Sequence, residues 1–226
     1  MLSVIIPTLN EEKALPETLD TLFRQTTDEE IIVVDGGSTD KTRNICEQYP
    51  EVEFIKSEKG RAAQLNTGAR SAGGDILLFL HADTLLPENA LNTITTQINQ
   101  KQREAGGFKH SFGNKDWRLK LISFLDNRRC FKTRIIYGDQ AMFIKRDLFI
   151  QLNGFPDVSK MEDVYFCEQL VKHTTPVIID SYVETDPRKF IKMGIWRSLY
   201  RVVAIQTRHE LNLHIANDHP FFAEIR

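Results

Sequence analysis

Leu2-Ser3-Val4-Ile5-Ile6, Ile31-Ile32-Val33-Val34 and Ile76-Leu77-Leu78-Phe79-Leu80 decide the fold. Each run is short, apolar and without polar alternation, the pattern of a strand covered on both faces. Between the first two, Leu15, Leu19, Leu22 and Phe23 fall at helical spacing, with Pro16 in the first turn where no amide donor is lost. A turn over Asp35-Gly36-Gly37-Ser38-Thr39-Asp40 leads into a short helix ending near Gln48. Val52-Glu53-Phe54-Ile55 reads as a further strand, and 60–72 as a further helix. Strands alternating with helices call for right-handed βαβ units, hence an α/β fold with a mostly parallel central sheet flanked by helices.

The second half is less regular. Helices are expected at 91–102, 115–129, 161–172 and from Phe190 to about His209, and strands at 105–112, 140–144 and 177–179. No internal repeat or linker interrupts the chain, so 1–226 reads as one domain.

Composition narrows the function. The chain has 226 residues, 41% of them hydrophobic, and a net charge of −2. No global field draws it to nucleic acid or an anionic membrane; any such attraction is local. Cys46, Cys130 and Cys167 are odd in number and widely spaced, which points to reduced thiols in a cytoplasmic protein rather than disulfides or a zinc site. The run Leu2 to Ile6 is too short for a signal peptide and lacks a basic leader. Nowhere do about 18 apolar residues stand together, as a membrane-spanning helix needs.

In an open parallel sheet, ligands gather at the carboxyl ends of the strands. Pro7, Thr8, Asn10 and Glu11 follow the first strand, Asp35 to Asp40 the second, and His81, Ala82 and Asp83 the fourth. Turns and helix caps favour the same residue types, so any one of these segments is weak evidence; three together are not. Neither a GxxxxGKS loop nor a GxGxxG fingerprint is present. Carboxylates facing a nucleotide can accept hydrogen bonds from base or ribose, as suits Asp35 and Glu11. They can also hold a divalent cation against a diphosphate, as suits Asp83.

Ser3 to Glu11 and Ile32 to Asp40 resemble the opening of the family 2 inverting glycosyltransferases of GT-A fold. Gly60 to Ala69 resembles the segment before that family's acidic metal motif, and Phe79-Leu80-His81-Ala82-Asp83-Thr84 stands where the family has Asp-x-Asp. Gly138-Asp139-Gln140, Gly154-Phe155 and Glu162-Asp163 follow in the family's order. The His-Ala-Asp form, with Tyr137-Gly138-Asp139-Gln140 later, looks most like a small soluble bacterial subgroup. The resemblance implies a Rossmann-like GT-A domain with a nucleotide-binding half (1–105), an acceptor and catalytic half (106–187) and a C-terminal helical extension (188–226). It further implies that Pro7, Thr8, Asn10 and Glu11 line the nucleoside pocket, with Asp35 facing base or ribose and Gly37 beside it. Arg61 and Asn66 contact the donor's diphosphate or sugar. Asp83 binds Mn²⁺ or Mg²⁺. Gly138, Asp139 and Gln140 shape the sugar and acceptor pocket. Asp163 is the general base, with Glu162 beside it. The implied partners are a nucleoside-diphosphate (UDP or GDP) sugar and an acceptor hydroxyl, lipid-linked or on a small molecule.

His81 departs from the family's acid. An imidazole there can ligate Mn²⁺, touch phosphate or ribose, or pack. From Arg188 to Arg208 the chain has six Lys or Arg and no acid, interleaved with Phe190, Met193, Trp196, Leu199, Tyr200 and Val203. That is either an amphipathic helix meeting the inner face of a membrane or a core-packing or homodimer helix with a solvated basic face. Two other functions compete. A sugar nucleotidyltransferase needs a Gly-rich loop with Arg and Lys where this chain has Pro7 to Glu11. A non-catalytic nucleotide-sugar binder has no need of Asp83 and Glu162-Asp163.

Overall fold

A computed structural model describes residues 1–210 apart from Thr27 and Ser159; the rest of the 188–226 extension lies outside the described residues. The three diagnostic runs are strands β1 (Leu2–Thr8), β2 (Glu30–Asp35) and β4 (Ile76–Phe79), with β3 (Val52–Lys56) before the last. All four pair in parallel, in the spatial order β3-β2-β1-β4. Helices α1 (Leu15–Phe23), α2 (Thr42–Cys46) and α3 (Arg61–Ser71) cross between them. Because side chains alternate along a strand, each strand serves both faces. Val4, Ile6, Ile31, Val33 and Leu78 pack with Leu15, Leu19 and Leu22 of α1. Ile5, Ile32, Val34, Leu77 and Phe79 pack with Leu65 and Ala69 of α3.

The chain then passes through β5 (Thr84–Leu85), α4 (Ala90–Asn99), β6 (Ala105–Phe112), α5 (Trp117–Thr133), β7 (Met142–Lys145), α6 (Arg146–Gln151), α7 (Glu162–His173), β8 (Val177–Thr185), α8 (Arg188–Met193) and α9 (Ile195–Glu210). One sheet continues across both halves as β3-β2-β1-β4-β7-β6-β8-β5. β7 runs antiparallel to β4 and β6, while β8 runs parallel to β6. The sheet is thus parallel where the nucleotide half was expected and mixed beyond it.

Several boundaries differ from the sequence expectation. Residues 138–140 form a 3₁₀ turn, and the strand expected from Gln140 begins at Met142, after Ala141 takes a left-handed φ of 47°. β8 runs to Thr185 rather than 179, because its later half alternates buried Val183 and Thr185 with exposed Tyr182 and Glu184 instead of being apolar throughout. The long helix expected from Phe190 is broken at Gly194, whose φ of 84° favours glycine. The short β5 and α6 were not anticipated.

Gly68 fixes how closely α3 approaches the sheet. A Cβ there would run into Ile5 Cγ2 and lie 3.0 Å from Val34 Cγ2. Gly68→Ala is therefore expected to cost about 1–3 kcal/mol of stability through overpacking, read as a lower urea midpoint at unchanged m-value.

Candidate active site

The loops after β1 and β2 are stitched into one rim. Gly36 N donates to Thr8 O at 2.9 Å, Asn10 N to Ser38 Oγ at 2.8 Å, and Thr39 N to Asn10 Oδ1 at 2.7 Å. Asn10 turns at a left-handed φ of 56°, which asparagine tolerates. Asp35 is buried, and its carboxylate accepts from Gly37 N and Ser38 N, holding its own loop shut. Thr8 is buried as well, while Pro7, Asn10 and Glu11 are half-buried at the cleft edge. Beneath them lies a residue that sequence reasoning passed over. Gln64, 4% exposed, donates from Nε2 to Thr8 O at 2.7 Å and to Val34 O at 2.8 Å, just where β1 and β2 end. It packs so tightly under Gly36 that a Cβ at Gly36 would sit 2.9 Å from it.

A charged centre adjoins this rim. Arg61, at the start of α3, reaches Glu162 Oε1 with Nη1 at 3.3 Å, and its charge is favoured by Glu162, Asp163, Asp83 and Asp139. Those carboxylates arrive from three separate stretches: the end of β4, the 138–140 turn and the first turn of α7. Asp163 is pinned by Gly138 N, which donates to Oδ2 at 2.6 Å, and by Val164 N, which donates to Oδ1 at 2.8 Å. Burial, with the neighbouring Glu162 charge, pushes its pKa up to about 6. Burial likewise raises Asp83 to about 6, although Arg188 opposes the shift. Gly138 must be glycine: a Cβ would lie 2.5 Å from His81 Nε2 and 3.4 Å from Asp163 Oδ2. Burial of the ring nitrogen of the half-buried His81 and the charge of Arg61 lower its pKa to about 3, so its ring is neutral near pH 7.

Two expected contact residues turn inward. Asn66 donates from Nδ2 to Phe155 O at 2.8 Å and accepts from Phe155 N at 2.9 Å, bracing the 154–155 turn. Gln140 is fully buried, accepts from Tyr137 N and donates to Phe108 O, bracing the turn that presents Gly138 and Asp139.

The basic residues of the C-terminal extension also reach the centre, which their spacing did not reveal. Arg188 Nη2 lies 2.6 Å from Glu11 Oε2 and 3.2 Å from Asp83 Oδ2, tying the rim to the acid that follows β4. Lys189 is lowered to about 8 by burial and by the repulsion of Arg61 and Lys160. Crowded cations beside these carboxylates, with His81 Nε2 and Asp139 Oδ1 buried and without hydrogen-bond partners among the described residues, leave polar groups for a ligand to satisfy.

The acids also suit a hard divalent cation. Asp83 and Glu11 converge on one positive charge, and among the described residues no group of three His, Cys, Asp or Glu side chains could complete a protein-only shell. A cation held by one or two carboxylates takes its remaining oxygens from phosphates and water.

Comparisons with known proteins bear on the family and the fold. Residues 3–152 match the family model described as Glycosyl transferase family 2. The PGL/p-HBAD biosynthesis glycosyltransferase of Mycobacterium bovis is 41% identical over 160 residues, 66% of this chain and 60% of that protein. The glycosyltransferase EpsJ of Bacillus subtilis is 25% identical over 220 residues, 89% of this chain and 61% of that protein. The chain thus spans about three-fifths of the length of these relatives. Among solved structures, the mannosyltransferase PcManGT from Pyrobaculum calidifontis, in complex with GDP-Man and Mn²⁺, superposes with a TM-score of 0.69 at 25% identity, covering 91% of this chain and 61% of that one. TarS of S. aureus shares the fold at a TM-score of 0.65 and 20% identity, covering 96% of this chain and 67% of that one.

Arg188→Ala leaves Glu11 and Asp83 without their shared cation. It is expected to lower stability by about 1–3 kcal/mol at pH 8. The Asp83 part of that deficit fades as pH falls toward about 6, because without Arg188 to hold its pKa down Asp83 takes up its proton at a still higher pH and has no charge left to pair. Thermal melts of both proteins from pH 5 to 8 read the difference.

Proposed function

The chain belongs to glycosyl transferase family 2, and from that premise we propose that it moves a sugar, with inversion, from a UDP or GDP donor to an acceptor hydroxyl, assisted by Mn²⁺ or Mg²⁺. The observation that carries the reading is the gathering of Asp83, Asp139, Glu162 and Asp163 around Arg61 at the carboxyl end of the sheet. Complexation of PcManGT with GDP-Man and Mn²⁺ supports a nucleoside-diphosphate sugar and a divalent cation. Three buried cysteines and no helix among the described residues long and apolar enough to cross a membrane accord with cytoplasmic work.

In this reading Asp163 is the general base. Its carboxylate, fixed by two backbone N–H donors, takes the acceptor hydroxyl proton as that oxygen bonds to the anomeric carbon and the bond to the diphosphate breaks. Arg61 faces the charge that develops on the departing diphosphate, with Lys189 and Lys160 nearby. The divalent cation, when bound at Asp83 with Glu11 in reach, supplies further neutralisation of that diphosphate. The rim from Pro7 to Glu11, with Asp35 and Gly37, receives the nucleoside, and Gly138 and Asp139 border the sugar and acceptor. His81 stays neutral and packs on Gly138. Asn66 and Gln140 hold the turns that carry these groups.

Base catalysis requires an ionised Asp163, so kcat/KM is expected to rise with pH through about 6 and then level off. Asp163→Asn should lose about 10²–10⁴-fold in turnover while donor binding survives; persistence of turnover would remove Asp163 from the role. Calorimetry with UDP and GDP, each with Mn²⁺, Mg²⁺ or chelator, is expected to show metal-dependent binding of one diphosphate that Asp83→Asn abolishes. Absence of binding by folded protein would sink the donor site.

A further inference from the structure

The exposed apolar surface is unevenly distributed. Of the twelve large apolar side chains exposed among the described residues, nine lie on α5, α8 and α9, at exposures between 36% and 75%. On α5, Trp117, Leu121, Phe124 and Phe131 share one face at i, i+4, i+7 and i+14, a stripe about 21 Å long with the exposed Arg128 at i+11 between the last two. On α9, Trp196 and Tyr200 repeat the spacing, with Val203 next. The two stripes form one surface, because the Trp117 and Trp196 rings meet edge to face at 5.8 Å. The inner sides of the same helices are accounted for: Leu119, Ile122 and Ile195 are buried together, with Phe112, Phe190 and Leu199 against them. The outer stripes are therefore left over after the core is complete.

Charge collects in the same segments. Residues 115–134 and 188–208 contain thirteen Lys or Arg, of which Arg188 and Lys189 belong to the charged centre, and two Asp, in a chain whose net charge is −2. Both acids are engaged locally: Asp116 pairs with Arg118 at 2.6 Å and Asp126 with Arg129 at 3.0 Å. The remainder of the chain is correspondingly acidic, so the molecule is strongly polarised.

We propose that the outer faces of α5 and α9 form a docking surface for an anionic lipid bilayer, lying in the interface with tryptophan, phenylalanine and leucine inserted and lysine and arginine among the headgroups. An apolar stripe flanked by basic residues is what an interfacial helix requires, and tryptophan and tyrosine prefer that depth. Local basic charge supplies attraction to an acidic leaflet that the net charge does not. Nucleic acid would match the charge but has no use for Leu121, Leu125 and Val203. The proposal concerns this surface alone and does not depend on the donor-site assignment.

Trp117 and Trp196 are the chain's two tryptophans, so intrinsic fluorescence reports on the surface without labels. The full chain is mixed with phosphatidylcholine vesicles, with or without phosphatidylglycerol, both brominated in the acyl chains. Binding roughly tenfold tighter to the acidic vesicles is expected, with a blue shift and bromine quenching. Phe124→Glu with Phe131→Glu, both at exposed positions, is expected to abolish insertion at unchanged thermal stability. Binding to neither vesicle overturns the proposal, as does sedimentation without quenching, which would mean charge contact alone. Iodide quenching and light scattering of lipid-free protein separate the other occupants. Shielded tryptophans in a dimer assign the surface to a second copy, and shielded tryptophans in a monomer assign it to another part of this chain; either result overturns it.

Discussion

Four carboxylates acting on one half-exposed guanidinium, Glu162 in contact and three more through their charge, set the terms for the rest of the molecule. Burial disfavours the charged forms of Asp83 and Asp163, and Glu162 adds its own repulsion to Asp163. Arg61 offsets part of this from α3, and Arg188 offsets more from α8, far along the chain. The centre thus holds its charges only when the parallel half of the sheet, the first turn of α7 and the C-terminal extension are all in place. Gly138 shows how little room remains, since it passes between His81 and Asp163 at a distance no side chain allows. The elevated pKa values follow from the same crowding, and they put the acids in the range where one can work as a base.

The first half of this architecture was legible because its physics is local. Fully apolar runs of four or five residues separated by helical spacing can only be strands covered on both faces, and β1, β2 and β4 stand where those runs stand. The polar residues at their ends could be picked out before any fold was known, because the topology sends all three ends to one edge. Family order then drew attention to Glu162 and Asp163, which the structure brings beside Arg61.

What escaped the sequence depends on contacts between distant residues. Gln64 lies mid-helix among small and polar residues, and nothing local says that its amide will bridge β1 and β2. Asn66 and Gln140 sit inside the diagnostic motifs, yet their amides are spent on the backbone of Phe155, Tyr137 and Phe108. Within a motif, proximity to the site does not separate a residue that touches ligand from one that holds the loop. The second half of β8 was missed for a different reason: its buried Val183 and Thr185 alternate with exposed Tyr182 and Glu184 instead of forming an apolar run, and it pairs with β6 across a register shift after Phe108.

The C-terminal extension shows why one pattern supported two readings. Phe190, Trp196, Leu199, Tyr200 and Val203 recur at helical intervals, and periodicity alone cannot say which of two adjacent stripes is covered. Gly194 divides the segment and lets α9 set off on a new path, after which Ile195 and Leu199 bury against α5 while Trp196, Tyr200 and Val203 stay outside. Core packing therefore uses one side of the helix and leaves the other exposed among the described residues, so the core-packing reading accounts for one face and does not decide the other. The short helix α8 joins these faces to the chemistry. It begins with Arg188 on Glu11 and Asp83 and ends at Met193, so less than two turns separate the charged centre from the break that launches α9. The position of α8 is thus fixed at one end by an ion pair in the cleft and at the other by the packing of α9 on α5.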